Sequence, residues 1–319
     1  MLSKNTTPDK EQRIVITGAN GFFGRYIVMR LFSIGYKKIV GIFRRKDVPI
    51  ELQNISMVHA SFGDVDALRD TLQENDIVIH CACSAFPSDS ECCTEKDVEE
   101  NVIGCLKLLR ICKEKQVRKF IFLSSGGTIY GDCGNSAAVE TQPVNPMNSH
   151  GVMKLAIEYY LRVNQRIYGL PYVILRVGNA YGNESLEDRS QGFIDAALRA
   201  IVLGRPVDVW GDGTIVRDYV FIEDIADAVA KSLGNVVNET FNIGSGKGFS
   251  ILEALAAIEQ ATNKAPEVTF SPGRPFDLNR NVLDIGRAES LLSWKPSTTL
   301  VEGIAHTYAK MCAQGVTVR

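Results

Sequence analysis

The sequence predicts an α/β fold in which a doubly wound parallel sheet is followed by a smaller mixed α/β substrate domain. Buried-strand patterns alternate with helical patterns through the first half, and a glycine turn joins the first strand pattern to the first helical one. A chain of 319 residues, 45% of them hydrophobic, can bury one large and one small core. We assign residues 12–180 to the first domain and 181–315 to the second, with chain exchange between them allowed.

Composition excludes several classes of partner. Lys and Arg number 35 against 37 Asp and Glu, a net charge of -2, which favours neither a nucleic-acid nor a membrane surface. Residues 1–12 are polar, and no apolar run approaches the ~20 residues of a bilayer span, so we expect a cytoplasmic protein. Eight cysteines lack paired metal-ligand spacing, so we expect reduced thiols and no metal site.

The first strand pattern, residues 13–17, runs into the glycine turn and a helical pattern that extends to about Ile34. Strand, glycine turn and helix in this order place backbone N–H groups and a helix N-terminus where a pyrophosphate can bind. The alternative is a plain strand-to-helix turn. The predicted dinucleotide-binding residues of this turn are Gly18, Asn20, Gly21, Phe22, Phe23 and Gly24.

The second strand pattern, residues 38–43, ends at Arg44 and Arg45. An acidic residue at this point would accept hydrogen bonds from the adenosine ribose, whereas arginine pairs with a 2′-phosphate. The sequence therefore favours NADP, with NAD as the alternative. Two solvated arginines at a strand end would look the same in sequence.

The central stretch begins with the strand pattern 119–125 and ends in a helical pattern that carries His150 and Lys154. Ser125 and Thr128 supply hydroxyl groups at the strand end. The imidazole and the lysine lie one helical turn apart on the same face. Hydroxyls, a titratable ring and an ammonium group together are typical of a proton-transfer site.

Together with the glycine turn, this stretch resembles the extended short-chain dehydrogenases/reductases, the nucleotide-sugar epimerases, dehydratases and reductases. In that family a strand ending Ser-Ser-x-x-x-Tyr-Gly precedes a Tyr-x-x-x-Lys helix; Lys154 matches, but His150 occupies the tyrosine position. The resemblance implies that the ring exchanges a proton with a sugar hydroxyl and that Lys154 holds the nicotinamide ribose. The usual Ser/Thr position is Gly126, so Ser125 and Thr128 are the substitutes, and Thr128 is preferred because we expect it to share a face with Gly126.

His150 has three interpretations. It takes part directly, it marks a weakened or non-catalytic family member, or it is a substitution introduced by experiment. Lys154 and an oxidised nicotinamide would both lower its pKa and favour neutral imidazole, whereas a reduced cofactor makes a protonated ring more plausible. We favour direct participation, since the sequence contains no other Tyr-x-x-x-Lys.

The resemblance extends over about residues 13–310 and implies a Rossmann domain for NAD(P) and a domain for a nucleotide-diphosphate sugar. It also implies a homodimer, in which the helix containing Asn101 and the Lys154 helix form an intersubunit four-helix bundle. His80 is interpreted as a packed structural residue. The further implied contacts are adenine for Asp64, substrate phosphates for Asn179, diphosphate for Arg217 and Arg274, and the nucleotide ribose for Asp277.

The reaction favoured by these features is NADPH-dependent reduction of a nucleotide 4-keto-sugar. Arg44 and Arg45 favour it, because NADP selectivity matters where the cofactor turns over. The alternatives are a nucleotide-sugar 4-epimerase of the UDP-glucose/galactose type with tightly bound NAD, and a non-catalytic NADP-binding protein. A 4,6-dehydratase is disfavoured, since Thr-Asp-Glu does not precede Tyr130.

Overall fold

The structure is a computed structural model that describes residues 9–44, 52–84, 94–186, 192–273 and 278–315. The strands are β1 (Ile14–Thr17), β2 (Ile39–Phe43), β3 (Ser56–His59), β4 (Ile77–His80), β5 (Lys119–Ser125), β6 (Tyr172–Val177), β7 (Asn179–Tyr181), β8 (Val207–Trp210), β9 (Val216–Arg217), β10 (Tyr219–Phe221), β11 (Glu239–Ile243), β12 (Phe249–Ser250), β13 (Val268–Ser271) and β14 (Arg280–Asn281). The helices are α1 (Phe22–Ser33), α2 (Val65–Thr71), α3 (Thr94–Asp97), α4 (Gly104–Glu114), α5 (Gly126–Ile129), α6 (Ser149–Tyr168), α7 (Phe193–Val202), α8 (Ile222–Ser232), α9 (Ile251–Thr262) and α10 (Leu300–Gly315).

The main sheet confirms the predicted doubly wound α/β fold. Among the described residues, seven parallel strands form it in the order β11-β6-β5-β4-β1-β2-β3. The strand order reverses between β1 and β4, and ligands of such sheets bind beyond the carboxyl ends of the strands at this point. The glycine turn follows β1 and the Ser125 segment follows β5, so the sheet brings both to the same edge.

Both faces of the sheet are covered, which explains why its strands are continuous apolar runs. Ile14 and Ile16 belong to the core that includes α1 and α8, whereas Val15 belongs to the core that includes α4 and α6. Alternate side chains of a strand point to opposite faces. A single strand therefore anchors the helices of both layers.

The chain returns to the main sheet after entering its second half. Strand β11 pairs with β6 at the sheet edge, and α8 packs on α1 with an ion pair between Arg30 and Asp227 at 2.5 Å. The buried Lys119 ammonium donates to the Ser232 carbonyl at 3.1 Å, at the C-terminus of α8, where a cation is favourable. Residues 222–243 thus lie with the large sheet.

Smaller sheets gather the substrate-side segments. Strand β7 pairs with β10, β9 lies between β12 and β14, and β13 pairs with β8. The register places Asn179 beside Tyr219 and Arg217 beside Asn281. These sheets confirm the smaller mixed α/β part of the predicted fold.

The helix that carries Asn101 begins well before that residue. Helix α3 continues through a π-helical segment, Val98–Ile103, into α4. The Asn101 side chain accepts from the Ser84 backbone N–H at 2.9 Å and donates to the Asp97 carbonyl at 3.0 Å.

Within the residues described, no helix combines the length and the apolar character that a bilayer span requires.

Candidate active site

Gly18 and Gly24 of the glycine turn have no room for a side chain, because backbone atoms lie too close to both. Gly18 has φ +74°, and a Cβ there would lie 2.7 Å from the Ala82 Cα atom. A Cβ on Gly24 would lie 2.1 Å from the Gly18 carbonyl oxygen. Helix α1 begins immediately after Gly21, which has no side chain to occupy the first N–H groups. This cradle suits the close approach of a pyrophosphate to backbone and helix N-terminus.

The two serines at the end of β5 have different environments. The Ser124 hydroxyl is buried and donates to the Glu158 carboxylate at 2.7 Å, whereas the Ser125 hydroxyl accepts from the Thr128 hydroxyl at 2.8 Å. Adjacent residues of a strand point to opposite faces of the sheet. Ser124 therefore bonds helix α6, whereas Ser125 points to the other side and bonds Thr128. Ser125 and Thr128 therefore act as a hydroxyl pair.

The expectation that Thr128 shares a face with Gly126 is wrong. A Cβ on Gly126 would meet the Leu283 side chain at 2.6 Å, while the Thr128 hydroxyl reaches Ser125. Residues two apart in a helical turn face different directions, whereas residues three apart meet. A Cβ on Gly127 would point toward Asn179, 3.7 Å from its Oδ1 atom. Asn179 therefore lies beside this turn, and its buried Nδ2 has no hydrogen-bond partner in the described part of the chain.

Helix α6 carries His150 and Lys154 against this turn. Asn148 caps the helix by accepting from the Gly151 N–H at 2.8 Å. A Cβ on Gly151 would lie 2.4 Å from the Thr128 carbonyl oxygen, so the first turn of α6 packs directly on α5. The Lys154 ammonium donates to the Leu123 carbonyl at 2.9 Å. The structure thus gathers the predicted catalytic residues at the end of β5.

The His150 imidazole is neutral at neutral pH. Burial first, and the positive charge of Lys154 second, lower its pKa to about 3. The effect of Lys154 on this pKa was predictable from the sequence, whereas the effect of burial, the larger cause, was not; His150 is only 8% exposed. Its Nδ1 atom has no partner among the residues that the structure describes. The ring therefore has a polar atom that a bound group can satisfy.

His80 has the packing role that the sequence suggested. Its ring stacks on Phe122 at 5.8 Å between centroids, and Nδ1 bonds the Thr17 hydroxyl at 2.7 Å. Burial, with a smaller contribution from Lys154, lowers the His80 pKa to about 3. Two neutral histidines are therefore buried in the fold.

We expect stability to fall as the pH decreases from 6.5 toward about 3. Both histidines have a usual pKa of 6.5, so in this range the unfolded chain binds protons that the folded protein does not. Their contribution is fully present above pH 6.5 and is lost on acidification. Thermal unfolding at about pH 5 and pH 7 measures this loss, which should be smaller in His150→Phe. An equal loss in both proteins would contradict a neutral His150.

Three of the other predicted ligand residues have defined partners in the structure. Arg44 is exposed at the end of β2, 3.5 Å from Glu100. Asp64 caps α2 by accepting from the Ala67 N–H at 3.1 Å. Arg217 donates to the Leu278 carbonyl at 2.6 Å. The predicted residues that fall outside the described ranges are Arg45, Arg274 and Asp277.

Sequence reasoning missed a buried polar network beneath the site. Glu158 of α6 and Arg176 of β6 form an ion pair at 2.7 Å, with both side chains almost completely buried. Arg176 also donates to the Tyr130 hydroxyl at 2.9 Å, and Tyr130 donates to Asn242 at 2.6 Å. An arginine inside an apolar strand was the signal that could have found it, because buried charges are normally paired.

Comparisons with known proteins identify the family of this chain. Residues 14–244 match the model of the NAD dependent epimerase/dehydratase family. The dTDP-4-dehydro-6-deoxyglucose reductase of Escherichia coli is 30% identical over an alignment of 306 residues that covers 92% of this chain and 96% of that protein.

Two solved structures share the fold along nearly their whole length. The UDP-glucose 4-epimerase of Thermotoga maritima with UDP-glucose is 30% identical, with a TM-score of 0.89 over 95% of this chain and 99% of that one. The UDP-glucose 4-epimerase of Thermus thermophilus with NAD is 31% identical, with a TM-score of 0.87 over 94% and 99%. The chain thus belongs to the NAD-dependent epimerase/dehydratase family, as an extended short-chain dehydrogenase/reductase and an enzyme of the nucleotide-sugar epimerase and reductase kind.

Proposed function

We propose that the protein is an NADPH-dependent reductase acting at C4 of a nucleotide-diphosphate 4-keto-sugar. The observation that carries the proposal is the neutral, buried His150 ring at the family's tyrosine position. Oxidation of a sugar hydroxyl needs a base, and an imidazole whose pKa is about 3 is a poor one. Reduction needs a hydride, a proton and a hydrogen-bond donor for the oxygen on which negative charge develops. A neutral imidazole N–H can be that donor while another group delivers the proton.

The residues at the end of β5 then have separate roles. A nicotinamide cofactor held at the glycine turn would supply the hydride. His150 donates a ring N–H to the carbonyl oxygen, and the positive charge of Lys154 favours the developing alkoxide. The Ser125 and Thr128 hydroxyls, 2.8 Å apart, deliver the proton to that oxygen and regain one from solvent. No step requires His150 to change its charge.

The test is to follow NADPH oxidation with dTDP-4-dehydro-6-deoxyglucose, and conversion of UDP-glucose to UDP-galactose, on protein purified without added cofactor. We expect NADPH oxidation, little retained nucleotide and no epimerisation. Retained NAD with formation of UDP-galactose would overturn the reductase in favour of a 4-epimerase. That second candidate is supported by the two epimerase structures, with UDP-glucose and with NAD.

Cofactor selectivity provides a separate prediction. Arg44→Ala should raise the Kd for NADPH about tenfold, the loss of a charge-assisted phosphate contact, and leave the Kd for NADH within about twofold. Fluorescence titration with both cofactors measures this. Lys96→Ala is the matched control, because Lys96 also lies beside Glu100, at 3.8 Å. Equal weakening of both cofactors in Arg44→Ala would argue against a 2′-phosphate contact.

We also propose a homodimer that includes the outer face of α6. This face carries six large exposed side chains, 42–62% accessible: Val152, Tyr159, Tyr160, Val163, Ile167 and Tyr168. Contiguous exposed apolar surface of this kind is typical of an interface. Light scattering should show a dimer for the wild type and a monomer for the double variant Val163→Glu, Ile167→Glu. Leu252→Glu, on the exposed face of α9, should leave the mass unchanged; a monomeric wild type would contradict the proposal.

A further inference from the structure

The carboxylate of Glu158 accepts hydrogen bonds from both β5 and β6, the strands before and after the segment that carries the candidate catalytic residues. It follows Lys154 by one helical turn, and its side chain is completely buried. One oxygen accepts from the Ser124 hydroxyl of β5 at 2.7 Å, and the other accepts from the Arg176 guanidinium of β6 at 2.7 Å. Charge-assisted hydrogen bonds of this kind are short and geometrically specific. Helix α6 is thus fixed to two adjacent strands at one point.

The network continues from Arg176 to segments of the second half. Arg176 donates to the Tyr130 hydroxyl at 2.9 Å, and its guanidinium carbon lies 4.9 Å from the Tyr130 ring centroid. Tyr130 donates to the Asn242 Oδ1 at 2.6 Å, and the Asn242 amide donates to the Ala138 carbonyl at 2.7 Å and the Asp284 carbonyl at 3.0 Å. Strand β11 and the segment after β14 are thereby linked to α6.

Lys154 gives α6 a second, independent attachment to the same strand. It donates to the Leu123 carbonyl, one residue before the serine that Glu158 holds. Two attachments one helical turn apart determine both the rotation and the axial position of the helix, since each residue advances ~1.5 Å and ~100°. Loss of either attachment allows α6 to shift, and His150 shifts with it.

We propose that Glu158, Arg176 and Tyr130 are positioning residues for the reaction at His150. This inference rests on the proposed function in that His150 contacts the reacting oxygen. All three are at most 2% exposed, so we place them behind the site, where they set the distance between the His150 ring and the Ser125–Thr128 hydroxyl pair. Misplacement of a catalytic group by about 1 Å can cost ~100-fold in rate, so a network that fixes α6 has a direct effect on turnover.

Tyr130→Phe is the informative variant, because changes at Glu158 or Arg176 can prevent folding. It keeps the ring that stacks on Arg176 and removes only the hydroxyl that joins Arg176 to Asn242. Tyr36→Phe is the matched control. The Tyr36 side chain is also fully buried, it lies just before the N-terminal end of β2, and its hydroxyl has no hydrogen-bond partner within the described residues.

The experiment measures kcat and KM with saturating NADPH and dTDP-4-dehydro-6-deoxyglucose, at a temperature well below all three unfolding transitions. We expect Tyr130→Phe to lower kcat about tenfold, with KM and the Kd for NADPH within about twofold, and Tyr36→Phe to match the wild type. An unchanged kcat in Tyr130→Phe, or an equal decrease in Tyr36→Phe, would overturn the inference.

A second readout separates this inference from the proposed function. The sequence has four histidines, so ¹³C-labelled histidine gives few ring resonances, and His150→Ala assigns the one of interest. Tyr130→Phe should shift or broaden the His150 resonance, whereas Tyr36→Phe should not. If the wild type turns over no nucleotide sugar, the proposed function fails. The His150 resonance still shows whether Tyr130 fixes the position of the His150 ring. An unchanged His150 resonance in Tyr130→Phe would reject the positioning role.

Discussion

His150→Ala is expected to lower kcat for NADPH-dependent reduction by about 10²–10⁴-fold, the range for loss of a positioned proton donor. In the proposed mechanism the Ser125 and Thr128 hydroxyls and the charge of Lys154 remain in this variant, and only the imidazole N–H is lost. The Kd for NADPH should stay within about threefold, because in the proposed function the glycine turn and Arg44 bind the cofactor and His150 does not. Steady-state kinetics with a fluorescence titration measure both quantities.

Two further variants decide how the His150 ring acts. His306→Ala is the control, because that imidazole is 44% exposed and far along the chain on α10; its kcat should equal that of the wild type. His150→Tyr restores the family's phenol in a site adapted to a smaller ring, and we expect it to be slower than wild type. A large increase of kcat in His150→Tyr would instead show that histidine at position 150 weakens a site built for the family's tyrosine.

Most of the fold could be predicted because its determinants are local. The apolar runs of β1, β2 and β4 are what a strand covered on both faces requires, and the glycine turn marks the first crossover. The seventh strand could not be placed from sequence. β11 is an ordinary short strand pattern, and its pairing with β6 depends on α8 packing back on α1. The contact between α8 and α1 joins segments far apart in the sequence, so no periodic pattern in the sequence predicts it.

The site was predictable where residue type alone determines chemistry. Hydroxyls, an imidazole and a lysine at the end of one strand converge because parallel strands end at a common edge. The partnership of Thr128 with Ser125 depended on a short helix that the pattern did not reveal. The main cause of the low His150 pKa was missed for a related reason: burial of a polar residue near a helix start depends on what packs over it.

Glu158 shows the limit most clearly. In sequence it is a charged residue on an amphipathic helix, and such residues are normally solvated. In the structure it is completely buried and paired with Arg176. Its partners lie on neighbouring strands, Ser124 of β5 34 residues before it and Arg176 of β6 18 residues after it, so no local pattern links them. The arginine inside an apolar strand indicates that a buried partner exists, but only the folded arrangement identifies Glu158 as that partner.

Arg176→Met is expected to lower the free energy of unfolding by about 3–5 kcal/mol, because it leaves the Glu158 carboxylate buried without its cation. The Ser124 hydroxyl would be the main remaining donor, and one hydrogen bond from an uncharged hydroxyl does not replace a bidentate guanidinium. Chemical denaturation at fixed protein concentration measures the change. Arg162→Met is the matched control: Arg162 is 40% exposed and lies 3.5 Å from the same carboxylate, so its loss should cost less than about 1 kcal/mol.

The double variant Glu158→Leu, Arg176→Met separates an unpaired charge from lost packing. Removing both charges leaves no buried ion, and well-packed apolar replacements of buried pairs are often neutral. We therefore expect the double variant to recover at least half of the stability that Arg176→Met loses, while its kcat stays low because α6 is no longer fixed by Glu158. Equal instability of the single and double variants would show that packing, rather than charge pairing, accounts for the loss. Equal costs for Arg176→Met and Arg162→Met would contradict the buried pair itself.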